Sequence, residues 1–581
     1  MKTSLTPVYL DFVAFSEHEV LMMPLFSADP TEAAFTRFRA GDLAGAEEDF
    51  RNILTREPGQ PDALHGMACL ARARGLDAMA IALVGRALQK NGISPDRKAR
   101  MHITLGLALI AQGHAEAGRA ALNVAVILQP SDPRAHAALG ETFERLGRRD
   151  EARAALEKAA VLSADDSFVR TRLGGLFLED GLSGQAVGQF RKVVNRRPQD
   201  GGALANLGAA LFACNAFDEA ATVLSQACER GARTAETLNS LGLVEMALGD
   251  LRAACETLRE ALQLRPSDGR IANSLGTVLM EIGRLEEAEA LFGAIVMRES
   301  GEEAERARFN RATILLGQGR FAEGWRDFES RRSLLRLVSD VPHWDGSAGE
   351  EPVAVVGEQG LGDEVQFLRF LTEAAKRRPL RLRFRAAALA DLMPELDQGR
   401  ILPADGPVAA EVSLLSLPAV LGMEDVPSPK PYLAVSEKPE VGRIGVCWSG
   451  NPSYRFDRRR SVPVECLEAL RQVSGVRFVA LQRGDVPDWM ERVPLETPVD
   501  LAREVGRCAL VISVDTLVAH VAGALGRPLW LLNREGGDWR WKDVDWYGDV
   551  RQFRPSSGVA VAAGWEAVLR EVAEALSLRV W

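Results

Sequence analysis

The chain has 581 residues, 47% of them apolar, with a formal net charge of −10 and a pI near 5.5. That length allows several domains, and the acidic balance argues against a dedicated nucleic-acid binder, which would usually be basic. Its seven cysteines are scattered with no CxxC pair, the pattern of buried thiols in a reducing cytosol and not of a disulfide framework or zinc site.

Residues 1–26 form an N-terminal segment. Asp11, Glu17 and Glu19 interrupt its apolar residues, so it lacks the basic start and continuous apolar core of a signal peptide. No apolar run in the chain approaches the roughly 18 residues of a bilayer span, and a cytoplasmic location is expected.

From residue 27 the sequence becomes periodic. Leu105-Gly106, Leu139-Gly140, Leu173-Gly174, Leu207-Gly208, Leu241-Gly242 and Leu275-Gly276 follow one another at intervals of 34. A second comb lies at Gly113, Gly147, Gly181, Gly249 and Gly283, with Asn215 in the one gap. A third is Ala152, Ala186, Ala220, Ala254 and Ala288, with Gly118 in the earlier register. A period of 34 is that of the helix-turn-helix tetratricopeptide (TPR) unit. Small residues at the first and third combs suit close helix approach, and the second comb suits a left-handed helix end. Pro58, Pro130, Pro198 and Pro266 punctuate the gaps between repeats. Weaker repeats, in phase upstream and shifted by a slip of two residues downstream at Ala312, Gly319 and Phe328, extend the array to about nine between residues 27 and 332. Asn239 and Asn273 are also 34 apart. They repeat on one helix face, where they could clamp an extended acceptor peptide; solvated asparagine is the plainer reading of either alone.

All ten Trp lie at or after Trp325, and residues 333–352 read as a joint. Beyond it the pattern changes to alternating strands and helices, which imply parallel βαβ units. A first series, residues 353–438, starts with strand Val353–Val356 and a helix from about Glu364 to Ala375. A second, residues 439–581, has strands at Ile444–Trp448, Val476–Leu481, Ala509–Val514 and Pro528–Leu532. The expected fold is therefore an all-α TPR solenoid followed by an α/β region of two Rossmann-like lobes.

Ligands of open α/β sheets sit beyond the carboxyl ends of the strands, where three loops stand out. Gly357–Asp363 is glycine-rich but does not match GxGxxG, and no acidic residue follows at the ribose-binding distance, which excludes a nicotinamide site. Asp363 is either a helix cap or a general base at the mouth of a cleft. Ser449–Ser461 carries Arg455, Arg458, Arg459 and Arg460 beside Ser449, Asn451 and Ser461. Such a run is ordinarily a solvated loop, but its place between strand and helix favours phosphate binding. Asp515-Thr516 begins a helix, with His520 one turn along its face. These residues could hold a phosphate, a ribose or a sugar hydroxyl, although a lone helical His is more often structural. Asp543-Val-Asp545 spells a DxD metal motif past the last clear strand and is expected to be a loop without metal. Trp539, Trp541 and Trp546 beside it suit either stacking on a ligand or packing.

The segments VAVVGEQGLGDEVQF (353–367), GVCWSGNPSYRFDRRRS (445–461), VISVDTLVAHVAGALGRPLWLL (511–532) and DWRW (538–541) together resemble bacterial TPR proteins with a C-terminal glycosyltransferase domain. That domain is similar to the heptosyltransferase family, of GT-B fold. The resemblance implies Asp363 as catalytic base and Ser449, Asn451, Arg460 and Ser461 on a donor-phosphate loop, and Arg458 of the same arginine run is a further donor-binding candidate. It also implies Asp515, Thr516 and His520 as the donor-side motif, with residues 353–438 facing the acceptor. The first lobe is shorter than in heptosyltransferases, and Glu364 stands where relatives often carry Thr or Val. Repeats fused to such a domain also resemble flagellin glycosyltransferases of stalked alphaproteobacteria, in which the solenoid recruits flagellin and the donor is a CMP-activated nonulosonic acid. What this implies is metal-independent transfer from a nucleotide-sugar, with no cofactor, to Ser or Thr of a recruited protein. Transfer in polysaccharide assembly and a scaffold with an inactive transferase lobe are the alternatives.

Overall fold

The computed structural model describes residues 29–579 apart from 338, 426–428, 452–456, 535 and 557–560. The N-terminal segment 1–26 and Arg455 therefore lie outside the described residues. Nine helix pairs run from Pro30–Arg39 to Phe321–Phe328. The N-terminal part is an all-helical TPR solenoid, and an α/β region with parallel sheets follows it.

The combs have their expected physical basis. A Cβ at Gly140 would lie 2.6 Å from Leu156, and one at Gly276 would lie 2.5 Å from Phe292. In both cases the large side chain of the second helix of a pair fills the space above the glycine of the first. The second comb is left-handed throughout, from Gly113 (φ +85°) to Gly283 (φ +79°), and Asn215 (φ +60°) adopts the same conformation. Asparagine is the side-chain-bearing residue that tolerates it best.

The chain divides into two compact units at Ala232/Arg233, inside the repeat array. The first holds six helix pairs, up to Phe217–Glu229. The second holds the last three pairs together with the whole α/β region. The last of them, Glu302–Gly317 with Phe321–Phe328, shares a core with the strands: Trp325 packs edge-to-face on Phe367 at 5.8 Å and on Trp539 at 5.9 Å. The stretch 333–352, read as a joint, docks in the same unit. Trp344 is buried and its backbone N–H donates to Glu411 O at 2.9 Å.

The first sheet has strands β1 (Val353–Val356), β2 (Leu380–Arg383), β3 (Ile401–Leu402) and β4 (Ala410–Ser413) in the order β3-β2-β1-β4, all parallel. The second has β5 (Glu440–Cys447), β6 (Arg477–Ala480), β7 (Glu491–Arg492), β8 (Cys508–Val514), β9 (Leu529–Leu532) and β10 (Val550–Phe553). Their order is β10-β9-β8-β5-β6-β7, again parallel. Numbered within its own series, the second sheet is the doubly wound 3-2-1-4-5-6, whose ligand crevice opens where the order reverses. Here that is between β5 and β8. The helix expected over 364–375 is broken: Leu361–Phe367, a 3-10 turn at Leu368–Phe370, then Leu371–Arg377.

Candidate active site

The three loops singled out above follow β1, β5 and β8, and the last two flank the switch point. Gly362 brings the lobes into contact. A Cβ there would lie 2.9 Å from His520 Cδ2, so only glycine lets the helix Leu361–Phe367 press against Leu517–Ala524. One step along, Asp363 is carried to the second lobe.

Asp363 is the third residue of its helix and not its N-cap, which is Gly360. Its Oδ2 accepts the Gly360 N–H at 3.0 Å, while its Oδ1 accepts Arg540 Nη2 at 2.6 Å. Arg540 is buried at the centre of the site. It donates Nη1 to Asp538 Oδ1 at 2.9 Å and Nε to Gln366, and lies over the Trp539 ring at 4.5 Å. Burial opposes its charge, but Asp538, Asp363 and Asp515 outweigh that and raise its pKa further. Two carboxylates, Asp363 and Asp538, thus share one guanidinium fork, a geometry suited to fixing carboxylates in plane, while Asp515 acts on it through charge alone.

The electrostatics divide those carboxylates. Burial and the neighbouring Asp538 push Asp515 up from its usual range, against the Trp541 indole that donates to its Oδ1 at 2.8 Å. Burial also acts upward on Asp538, yet Arg540 wins and holds it below its ordinary value. His520 is driven down to about 3 by burial, with Arg540 second, so its imidazole is neutral. Its Nδ1 pairs with Tyr547 Oη at 3.0 Å and its ring stacks on Trp541 at 5.2 Å. Its Nε2 lies 3.8 Å from Asp515 Oδ1.

The loop after β5 is tied to the same place. Arg460 Nη1 donates to the Asp515 backbone O at 3.2 Å, and Nη2 pairs with Asp457 at 2.6 Å. Ser461 Oγ accepts the Gly450 N–H at 2.9 Å and donates to Asp457 at 2.7 Å. Ser449 Oγ accepts Gln482 Nε2 at 3.0 Å, and the same Gln482 accepts the Trp448 and Ser449 N–H groups. Beyond the ends of β6 and β7, a cavity of about 550 Å³ is lined by Gln482, Arg483, Arg492 and Glu496 among others. Its size lies in the range of small-molecule sites.

Asp363, Arg460, Asp515 and His520 are thus brought together, and Ser449 and Ser461 brace the adjoining loop. Asn451 and Arg458 are exposed. Thr516 heads its helix without a side-chain cap, its hydroxyl turned back to Val514 O at 3.3 Å. Several expectations change. Asn239 and Asn273 are 2% and 3% exposed and do not present a solvated ladder; Asn273 Nδ2 donates to Glu303 O at 3.0 Å. Trp539, Trp541 and Trp546 are buried packing residues, and Asp543 and Asp545 are exposed. Of the cysteines only Cys255, Cys447 and Cys508 are buried, and Cys214 is exposed. Sequence reasoning missed Arg540, Asp538, Gln366 and Gln482. The DWRW segment was a signal for the first two, but the partners of Arg540 lie up to 177 positions away, and no spacing rule connects them.

These features describe a repeat protein fused to an α/β region. The chain carries tetratricopeptide repeats: profiles described as tetratricopeptide repeat match residues 103–167, 171–234 and 245–309. Such repeats imply protein–protein interaction. The chain is similar to Protein FlbA of Caulobacter vibrioides, at 29% identity over 48% of this chain and 56% of that protein, so it spans about half the length of the curated relative it matches. Similar solved structures include TTC0263, a TPR protein of Thermus thermophilus (24% identity, 31% of this chain and 97% of that one, TM-score 0.28). Another is YrrB, a TPR protein with an unusual peptide-binding site (20% identity, 32% and 95%, TM-score 0.30). Among the described residues no helix is long and apolar enough to cross a membrane.

Proposed function

We propose that the chain is a metal-independent glycosyltransferase that moves a sugar from a nucleotide-activated donor to Ser or Thr of a protein recruited by the repeats. The observation that carries this reading is the convergence of Asp363 from one parallel sheet with Asp515, His520 and Arg460 from the carboxyl edge of the other. In this reading Asp363, held in plane by Arg540, takes the proton of the acceptor hydroxyl. The oxygen attacks the anomeric carbon as the bond to the donor phosphate breaks, and the charge leaves with the phosphate. Arg460, Ser461 and the uncapped helix start at Thr516 stabilise that charge. The cavity by Gln482 suits the nucleoside, because Gln482 lines it and also braces the phosphate loop. Neutral His520 orients through Tyr547 and does not serve as an acid. The finer identification, flagellin as acceptor and a CMP-nonulosonic acid as donor, rests on the sequence resemblance of repeats and lobes together.

Intact-mass analysis of flagellin co-expressed with this chain and a donor pathway tests it. The wild type should add a sugar mass. Asp363→Asn should lower the rate by about 10²–10⁴-fold, the usual contribution of a positioned base. No increment with wild type would remove flagellin as acceptor, and an increment undiminished in Asp363→Asn would remove Asp363 as base.

A further inference from the structure

We infer that Glu281, the last residue of the solenoid helix Gly269–Glu281, is a positioning residue for the anion-binding edge of the second lobe. The inference rests on reading that edge as the donor site. An acid in the last turn faces the negative end of its helix dipole, and this helix has no basic residue of its own there. The compensating charges come from the lobe instead. Glu281 Oε2 pairs with Arg459 Nη2 at 3.0 Å and also with Arg534 Nη1. Arg459 belongs to the short helix Asp457–Arg460 that follows β5, and Arg534 follows β9, so one carboxylate holds two segments at the carboxyl edge of the sheet.

The contact is built and largely enclosed: the side chains of Arg459, Arg534 and Glu281 are 7%, 15% and 16% exposed. The backbone fits as closely as the charges. Gly536 has φ +81°, and a Cβ there would lie 2.7 Å from the Glu281 carbonyl oxygen, so the loop after β9 lies directly on the helix end. Arg459 adjoins Arg460, whose Nη1 reaches the Asp515 carbonyl. Glu281 therefore restrains the arginine next to the one that meets the candidate site. A matching contact serves the other lobe. Arg331, fully buried where the repeat array ends, donates Nε to Glu358 at 2.5 Å, in the loop that leads into the helix of Asp363. The last repeats thus hold both loops, as expected of a part of the site and not of a detachable arm.

Hydrogen exchange on the full-length protein tests the positioning. Glu281→Gln should raise exchange in peptides covering 457–462 by about tenfold or more, the factor equivalent to about 1.4 kcal/mol, with β8 unchanged. Glu289→Gln, which removes a partner of Arg320 on the next helix, should leave 457–462 alone. Unaltered exchange there in Glu281→Gln would overturn the proposal. If that variant unfolds the second unit, Arg534→Lys asks the same question with charge kept and fork geometry lost, and is judged by the same criterion. Titration with CMP, UDP, GDP and ADP separates this from the donor reading. The nucleotide that binds wild type should bind Glu281→Gln at least about fivefold more weakly and Glu289→Gln equally well. Binding undiminished in Glu281→Gln would also overturn it. Binding of none of the four by wild type would count against the donor site, while exchange alone would still decide the contact.

Discussion

The repeats before Ala232 and those after Arg233 share one period and one packing rule, yet they belong to different bodies. In both, a glycine on the first helix sits under a large side chain of the second. The later repeats add inter-element chemistry that the period does not encode. Glu281 and Arg331 form ion pairs with site loops, and Trp325 enters the aromatic core under Asp363's helix. A 34-residue repeat therefore specifies how two helices meet, and leaves open whether the surface so formed receives a partner or supports an enzyme-like site.

The largest expected effect separates the two sets of repeats. Phe50, fully buried in the first unit, and Trp325, 3% exposed in the second, should each cost about 3–5 kcal/mol when changed to Ala. Phe50→Ala should lower protection from hydrogen exchange only in helices before residue 232. Trp325→Ala should lower it in the last repeats and around Asp363 together. Protection around Asp363 that survives Trp325→Ala would mean that the last repeats are accessory after all.

How far the sequence reveals the protein follows the same division. Periodicity exposes interactions that recur at fixed spacing, which is why the helix pairs, left-handed turns and parallel strands are legible in it. The candidate loops are legible because the carboxyl ends of strands are predictable from the βαβ pattern. What holds those loops is not. Arg540 joins Asp363, Asp538 and Gln366 across separations that follow no period. The asparagine pair misled because recurrence on one helix face says nothing of what covers that face: Asn239 lies on Ala235–Leu248, nearly all buried, with the Arg-bearing helix Asp457–Arg460 packed against it.

A paired glycine substitution sharpens the comparison at lower energy. Gly140→Val and Gly276→Val each drive a side chain into a filled space, against Leu156 and Phe292 respectively, and overpacking of this kind costs about 1–3 kcal/mol. Thermal unfolding should register both. Only Gly276→Val, five residues before Glu281, should also raise exchange at 457–462. Equal effects of the two variants on that loop would break the proposed division.

The site should also report itself through pH. His520 has a folded pKa of about 3 against an ordinary 6.5, so below pH 6.5 the unfolded chain binds a proton that the folded one refuses. Stability then falls as pH drops from 6.5 toward 3, with a limiting slope of about 1.4 kcal/mol per pH unit. Asp515, raised in the folded state, acts in the opposite sense once pH nears the carboxylate range. His65 in the first unit, held at about 4 by burial, supplies a parallel slope for the other set of helices. Denaturant unfolding at pH 7 and pH 5 should show the second unit's dependence flattened in His520→Gln and the first unit's in His65→Gln. An undiminished slope in either variant would assign the pH response elsewhere.

The smallest effect bears on the face once expected to grip a peptide. Asn273→Ala removes an amide that donates to the Glu303 carbonyl and carboxylate. A buried hydrogen bond of this kind is worth about 1 kcal/mol, so thermal stability should fall slightly while capture of a partner protein is unchanged. Because Asn273 is 3% exposed, an incoming peptide would first have to displace what covers it. Loss of partner capture at full stability would therefore show that this covering opens in solution. The later repeats would then receive a partner as well as support the candidate site.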